Sequence, residues 1–197
     1  MSDVFIINPR IRATQTSYEK VTMGDLNERL ATVFPSQRVS RPSGTRFEKD
    51  DVLLARITPS LENGKTGLVK FLTPGEIAVG STEFIVLRGK VVGPAFAYCA
   101  ARSDRVRDHA VRSMSGASGR QRVATDAFNS LQIVEPPPDV AEEFERTAGP
   151  WLDMGYELAR QSQALAKTRD LLLPALVTGR RDVSKVALGL LLPSGSP

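Results

Sequence analysis

Phe144, Trp151, Leu158, Leu165 and Leu172 recur at every seventh position without a miss. An apolar residue repeated in this way over about four heptads makes a stripe along one side of a helix, the seam of a coiled coil. One helix cannot bury such a stripe alone, so the segment calls for a partner helix. The companion positions Thr147, Met154, Gln161, Thr168 and Ala175 are mostly polar or small, which keeps the seam narrow. Just before it stands Glu135-Pro136-Pro137-Pro138-Asp139. Consecutive prolines make a stiff spacer, and Asp139 is a suitable N-cap for the helical segment after it. The helix is expected to run to about Leu173. Pro150 either kinks it or starts a new helix after Gly149, Pro174 interrupts it, and Thr178-Gly179 ends it. The apolar tail VALGLLLPSGSP has no assigned place.

Ahead of the prolines the pattern is mixed. Val4–Ile7 and Tyr18–Met23 read as short strands, and 35–49 as a polar loop. Asp51–Ile57 and Gly67–Phe71 are rich in β-branched and apolar residues, as are Ile77–Gly80 and Thr82–Arg88, and these four read as strands. Gly93-Pro94 opens a helical stretch, with proline suited to the first turn and Ser103 placed to recap it midway. SGASG ends that stretch. Asp126–Asn129 reads as a short helical turn and Leu131–Val134 as a last strand. The expected class is α+β. A mixed α/β domain at 1–135 is followed by a spacer or dimerisation helix at 136–179, of coiled-coil type, and a tail at 180–197.

Charge separates the two parts. Residues 1–135 carry 19 Lys/Arg against 14 Asp/Glu, whereas 136–197 carry 7 against 8. The chain of 197 residues has a net charge of +4 and a pI near 9.5, which fits a polyanionic partner. The single cysteine, Cys99, lies in an apolar helical stretch and reads as a buried thiol. With His109 the only histidine, no His-based triad or metal cluster can be assembled. No catalytic residue, metal or cofactor is expected. The N-terminus lacks a basic region followed by an apolar core, and no apolar run approaches a membrane span, so the expected location is cytoplasmic.

Two glycine-bearing loops carry the functional question. In ITPSLENGKTG, residues 57–67, Gly64-Lys65-Thr66 matches the end of a Walker A phosphate loop. Pro59 occupies the first glycine position, however, and offers no N–H. A strand comes next where that motif needs a helix. The second loop, SMSGASGRQRV at 113–123, ends in Arg120-Gln121-Arg122 after glycines and small hydroxyls. Arginine reads guanine and glutamine reads adenine, while serines and backbone N–H groups hold phosphates. A third segment, 35–49, carries Arg38, Arg41 and Arg46. Together in one basic domain these favour nucleic acid. The candidate DNA contacts are Arg38, Arg41, Arg46, Asn63, Gly64, Lys65, Ser118, Arg120, Gln121 and Arg122. The candidate partner-helix residues are Phe144, Trp151, Leu158, Leu165 and Leu172. His109 reads as a surface or phosphate-facing residue, and Glu62 and Glu83 as structural carboxylates.

The stretch DVLLARITPSLENGKTGLVKFLTPGEIAVGSTEFIVLR closely resembles a target recognition domain of type I restriction-modification specificity (S) subunits. SMSGASGRQRVATDAFNSLQIVEPPP resembles the same domain, and LAKTRDLLLPALVTGRRDV resembles the end of the family's spacer helix. The likeness runs from about Asn8 to Val183. It implies a DNA-binding subunit without catalytic activity. Two recognition domains of that family each read half of a split site, and two long antiparallel helices set the distance between the halves. Those helices dock modification (M) subunits, which methylate adenine with S-adenosylmethionine, and restriction (R) subunits complete the ATP-dependent nuclease. This chain has one recognition domain and one spacer helix, and it starts close to INPR without the family's usual lead-in. It is expected to be a natural half-subunit, a truncated gene product or a fragment. Pairing with a second copy, head to tail, would restore the two-domain arrangement. The rivals are an independent enzyme, either nucleotide-binding through Lys65 or a nuclease, a dimerisation module that touches no DNA, and a degenerate half-subunit without partners.

Overall fold

Most of the apolar runs become strands of two four-stranded sheets. In chain order they are β1 (Phe5–Ile7), β2 (Tyr18–Val21), β3 (Gln37–Val39), β4 (Thr45–Glu48), β5 (Val52–Ala55), β6 (Thr66–Leu68), β7 (Ile77–Gly80) and β8 (Phe84–Gly89). The computed structural model describes residues 1–117 and 119–179. The tail expected at 180–197 lies outside the described residues, as does Ser118. One sheet runs β1-β8-β5-β6 with antiparallel neighbours throughout. The other runs β3-β2-β7-β4, with β2 and β7 parallel.

Successive residues of a strand point to opposite faces, and β5 and β8 use this to divide two cores. Val52, Leu54, Ile85 and Leu87 enter one core with Phe5, Leu61 and Phe128. Leu53, Phe84 and Val86 enter the other with Val21, Val33 and Phe47. All four residues of β5 are buried, because neighbours cover both its edges and cores cover both its faces. The first core is closed by α1 (Pro94–Arg102) and α2 (Asp104–Arg112) through Ala97, Tyr98, Val106 and Ala110. Ser103 separates these helices as expected, its hydroxyl accepting from Val106 N at 3.3 Å. After α2 comes a small hairpin, β9 (Met114–Ser115) with β10 (Arg122–Val123), then a 3-10 segment, Thr125–Ser130.

Several local expectations need correction. The polar stretch 35–49 is not all loop, for it contains β3 and β4. Both are edge strands, and only Phe47 among their residues is fully buried, so solvent accepts the polar remainder. Leu131–Val134 forms no strand. Leu131 packs into the first core, and its carbonyl accepts from the Met1 ammonium at 2.7 Å. Cys99 is exposed on α1. His109 is half-buried, and its Nε2 meets the Ala127 carbonyl at 2.8 Å, tying α2 to the 3-10 segment.

The chain divides into two compact units, Met1–Tyr156 and a second from Glu157 onward. The last helix, α3 (Pro138–Val177), contributes to both and is helical through Pro150 and Pro174. Its first helical residue is Pro138, a position that tolerates a missing N–H, and Asp139 lies in the first turn. An interior proline costs about 3 kcal/mol, and contacts on both sides of Pro150 offset this. Phe144 meets Phe96 edge-on at 5.5 Å, and the Glu145 carboxylate accepts from Ala95 N at 3.1 Å. Leu152 packs on the first core, and Tyr156 stacks on Phe34 at 5.2 Å. Lys70 Nζ lies 2.9 Å from both Asp50 and Asp153. Burial draws the Lys70 ammonium down, but the two carboxylates outweigh that and hold it above the ordinary lysine value.

Among the described residues Asp51 is the one acid with no solvent exposure, and Arg88 grips it with Nε at 2.7 Å and Nη2 at 2.8 Å. Removing one partner of a buried pair leaves an uncompensated charge. Arg88→Met should therefore destabilise the domain by about 3 kcal/mol in urea unfolding. Adding Asp51→Asn should recover a large part of that loss.

Candidate nucleic-acid interface

The loop after β5 is a compact turn closed on itself. Leu61 N donates to Ile57 O, Asn63 N to Pro59 O, Gly64 N to Leu61 O and Lys65 N to Ser60 O, each at 2.9 Å. These amides are spent inside the loop, so they cannot form a phosphate cradle of the Walker type. Leu61 plugs the first core. Lys65 Nζ donates to Met23 O at 3.3 Å, and Asn63 Nδ2 to Glu28 Oε1 at 3.0 Å. Arg102 Nη1 bridges the Glu28 and Gly64 carbonyls at 2.7 and 2.8 Å. Asn63, Gly64 and Lys65 thus share one neighbourhood, but all three are bound to the domain itself.

The β9–β10 hairpin docks on the start of that loop. Thr58 N donates to Gln121 O at 3.0 Å, and Val123 N to Arg56 O at 2.9 Å. Gly116 at the tip has φ of 121°, open to glycine without strain. Glu83, at the start of β8, holds this junction together. It accepts from Arg122 Nε at 2.8 and 2.9 Å and from Arg56 Nε at 3.2 Å. One carboxylate between two guanidiniums leaves a net positive charge at the junction. Arg120 is exposed and its side chain has no partner among the described residues, whereas Arg122 is committed to Glu83.

The third group lies on the second sheet. Arg38, on β3, is exposed and bonds Ser17 Oγ at 3.1 Å through Nη2. Arg41 is exposed beyond β3 and unpartnered among the described residues. Arg46, on β4, donates from Nη1 to Ile11 O at 2.8 Å. It lines a cleft of about 570 Å³ together with Pro9, Arg10, Ile11, Arg12 and Gly44. Arg10 and Arg12 are not among the residues singled out from the sequence. A signal for them exists: they flank Ile11, which packs on a small core of Tyr18, Ile77 and Val79. Alternation about a half-buried residue turns both neighbours outward.

No family model matches the sequence. It is 25% identical over 190 residues to the type I restriction enzyme EcoEI specificity subunit of Escherichia coli, covering 92% of this chain and 32% of that protein. It is 30% identical over 144 residues to the EcoAI specificity subunit of the same organism, covering 72% and 24%. The HsdS subunit from Thermoanaerobacter tengcongensis superimposes with a TM-score of 0.54 at 20% identity, over 91% of this chain and 46% of that one. A chain from a structure of type I R-M complex assembly and conformational transition gives 0.55 at 19% identity, over the same shares. This chain is a homologue of type I restriction enzyme specificity subunits. It spans about a third or less of the length of the curated relatives it matches, and about half of the solved chains.

In this specificity-subunit homologue the seam positions fall into two groups. Phe144 is half-buried against its own domain through Phe96. Trp151, on the same unit, is 77% exposed, and Met154 beside it 63%. In the second unit Leu158 and Leu165 are exposed, while Leu172 is half-buried. Acid and base alternate along this part of α3, in the Glu157–Arg160 and Arg169–Asp170 pairs. Among the described residues no helix is long and apolar enough to cross a membrane, and no group of His, Cys, Asp and Glu could hold a metal ion.

Glu83→Ala should release the hairpin without unfolding the domain. The Val123 amide should then exchange with deuterium about tenfold faster, while global stability falls by about 1 kcal/mol. Unchanged exchange at Val123 would show that Glu83 does not hold the hairpin.

Proposed function

We propose that this chain is the DNA-binding specificity subunit of a type I restriction-modification complex, carrying one target recognition domain (1–135) and one spacer helix (136–179). The observation that carries this reading is the alignment of 92% of the chain with the EcoEI specificity subunit. The basic surface of the domain agrees with it. Arg41, Arg120 and Gln121 are the foremost candidates for contact with bases or phosphates, together with Arg38. Asn63, Gly64, Lys65 and Arg122 lie at the same loops and present them to the duplex. The subunit performs no chemistry; methyl transfer to adenine and ATP-dependent cleavage belong to the modification and restriction subunits.

A single domain reads one half-site. The unpartnered side chains of α3, Trp151, Leu158 and Leu165, take a second copy of the chain in head-to-tail pairing, and the paired helices dock the modification subunit. Two-fold pairing requires a split, palindromic target, because protein symmetry is mirrored in the DNA. Selection of bound sequences from random duplex DNA, with and without the modification partner, tests the reading. Enrichment of a split symmetric motif is expected, and an unenriched pool in both arms would defeat it.

Two variants separate the parts. Leu158→Asp with Leu165→Asp should halve the sedimenting mass while leaving the recognition domain folded. Arg120→Ala should weaken binding to the selected duplex by about 1–3 kcal/mol without changing thermal stability, the range of one good base contact.

A further inference from the structure

The cleft of Arg10, Arg12 and Arg46 shares only Arg46 with the candidate DNA contacts; Arg10 and Arg12 have no part in them. Its six lining residues include three guanidiniums and no carboxylate. Neither Arg10 nor Arg12 has a side-chain partner among the described residues, and both are exposed. Arg46 is held in place by its bond to Ile11 O, with other N–H groups left to donate. Like charges lining one cleft favour an anion between them.

The cleft continues. A second one, of about 370 Å³, is lined by Lys20, Ser43, Ser81 and Thr82 among others, and Gly44 lines both. Hydroxyls and ammonium groups complement phosphate oxygens. Gly44, which lines both, has φ of 89°, and a Cβ placed on it would come within 1.9 Å of the Gly80 carbonyl oxygen. A positive cleft leading into a hydroxyl-lined one matches a repeated anion rather than a single small one. The Arg10 cleft has no amide side chain or carboxylate, the groups that pair with adenine and cytosine; its arginines can pair with guanine as well as with phosphate, and the hydroxyl-lined neighbour favours phosphate.

We propose that the Arg10–Arg12–Arg46 cleft binds the phosphodiester backbone of the duplex and takes no part in reading bases. This rests on the DNA-binding reading above and adds a surface separate from the hairpin. The test uses the full chain, alone and with its modification partner, titrated with duplex DNA over a range of salt. Arg10→Gln with Arg12→Gln should make the slope of log affinity against log salt shallower by about one to two. Selected and scrambled duplexes should weaken by the same factor, with the melting temperature unchanged. If wild-type protein binds duplex and this variant matches it in slope and affinity, the cleft proposal falls while the DNA reading stands. If wild-type protein binds no duplex in either form, both fall.

A second measurement separates the sources of phosphate. Saturating duplex should protect Arg10 and Arg12 from an arginine-specific dicarbonyl reagent, as read by peptide mass mapping. Millimolar inorganic phosphate should not. Equal protection by phosphate alone would make this a small-anion site and overturn the proposal.

Discussion

β5 is the constraint on which the domain is built. It is paired on both edges, and its alternate residues serve two cores, so nothing about its register is free. A slip by one residue would send Leu53 to the helices and Leu54 to the second sheet, inverting both cores at once. That rigidity reaches the surface directly. Arg56 comes just after the last residue of β5, Glu83 precedes the first residue of β8, and the two meet where the hairpin docks. The basic surface is thus an extension of the most buried part of the molecule.

The first turns of α3 belong to the same body. A ring contact, a carboxylate on a backbone amide, a stacked tyrosine and a bridging lysine fix them to the sheets and to α1. Of the heptad positions, Phe144 serves this attachment, while Trp151, Leu158 and Leu165 remain exposed. One periodic pattern therefore covers two different tasks, and only the three-dimensional packing separates them.

Legibility in the sequence tracks burial. β5 and β8 were legible because strands covered on both faces are nearly all apolar, and Ser103 was legible because a cap has its own chemistry. β3 and β4 were not, since edge strands facing water need few apolar residues. Pro150 pointed to a break that long-range contacts on either side of it override. The candidate arginines were visible as a group but not by state. Sequence cannot show that Arg122 is spent on Glu83 and Arg120 is not, because the two loops that meet there are separated along the chain. Arg10 and Arg12 escaped notice because a run of two charges about one isoleucine looks ordinary until β4 brings Arg46 beside it.

The glycine at position 44 has an implication for how such a domain can diversify. A methyl group there would collide with a main-chain oxygen that belongs to a paired strand and cannot yield. Laboratory evolution toward new targets should therefore leave that turn as it is and accumulate its changes in the hairpin, where the exposed Arg120 side chain has room to vary.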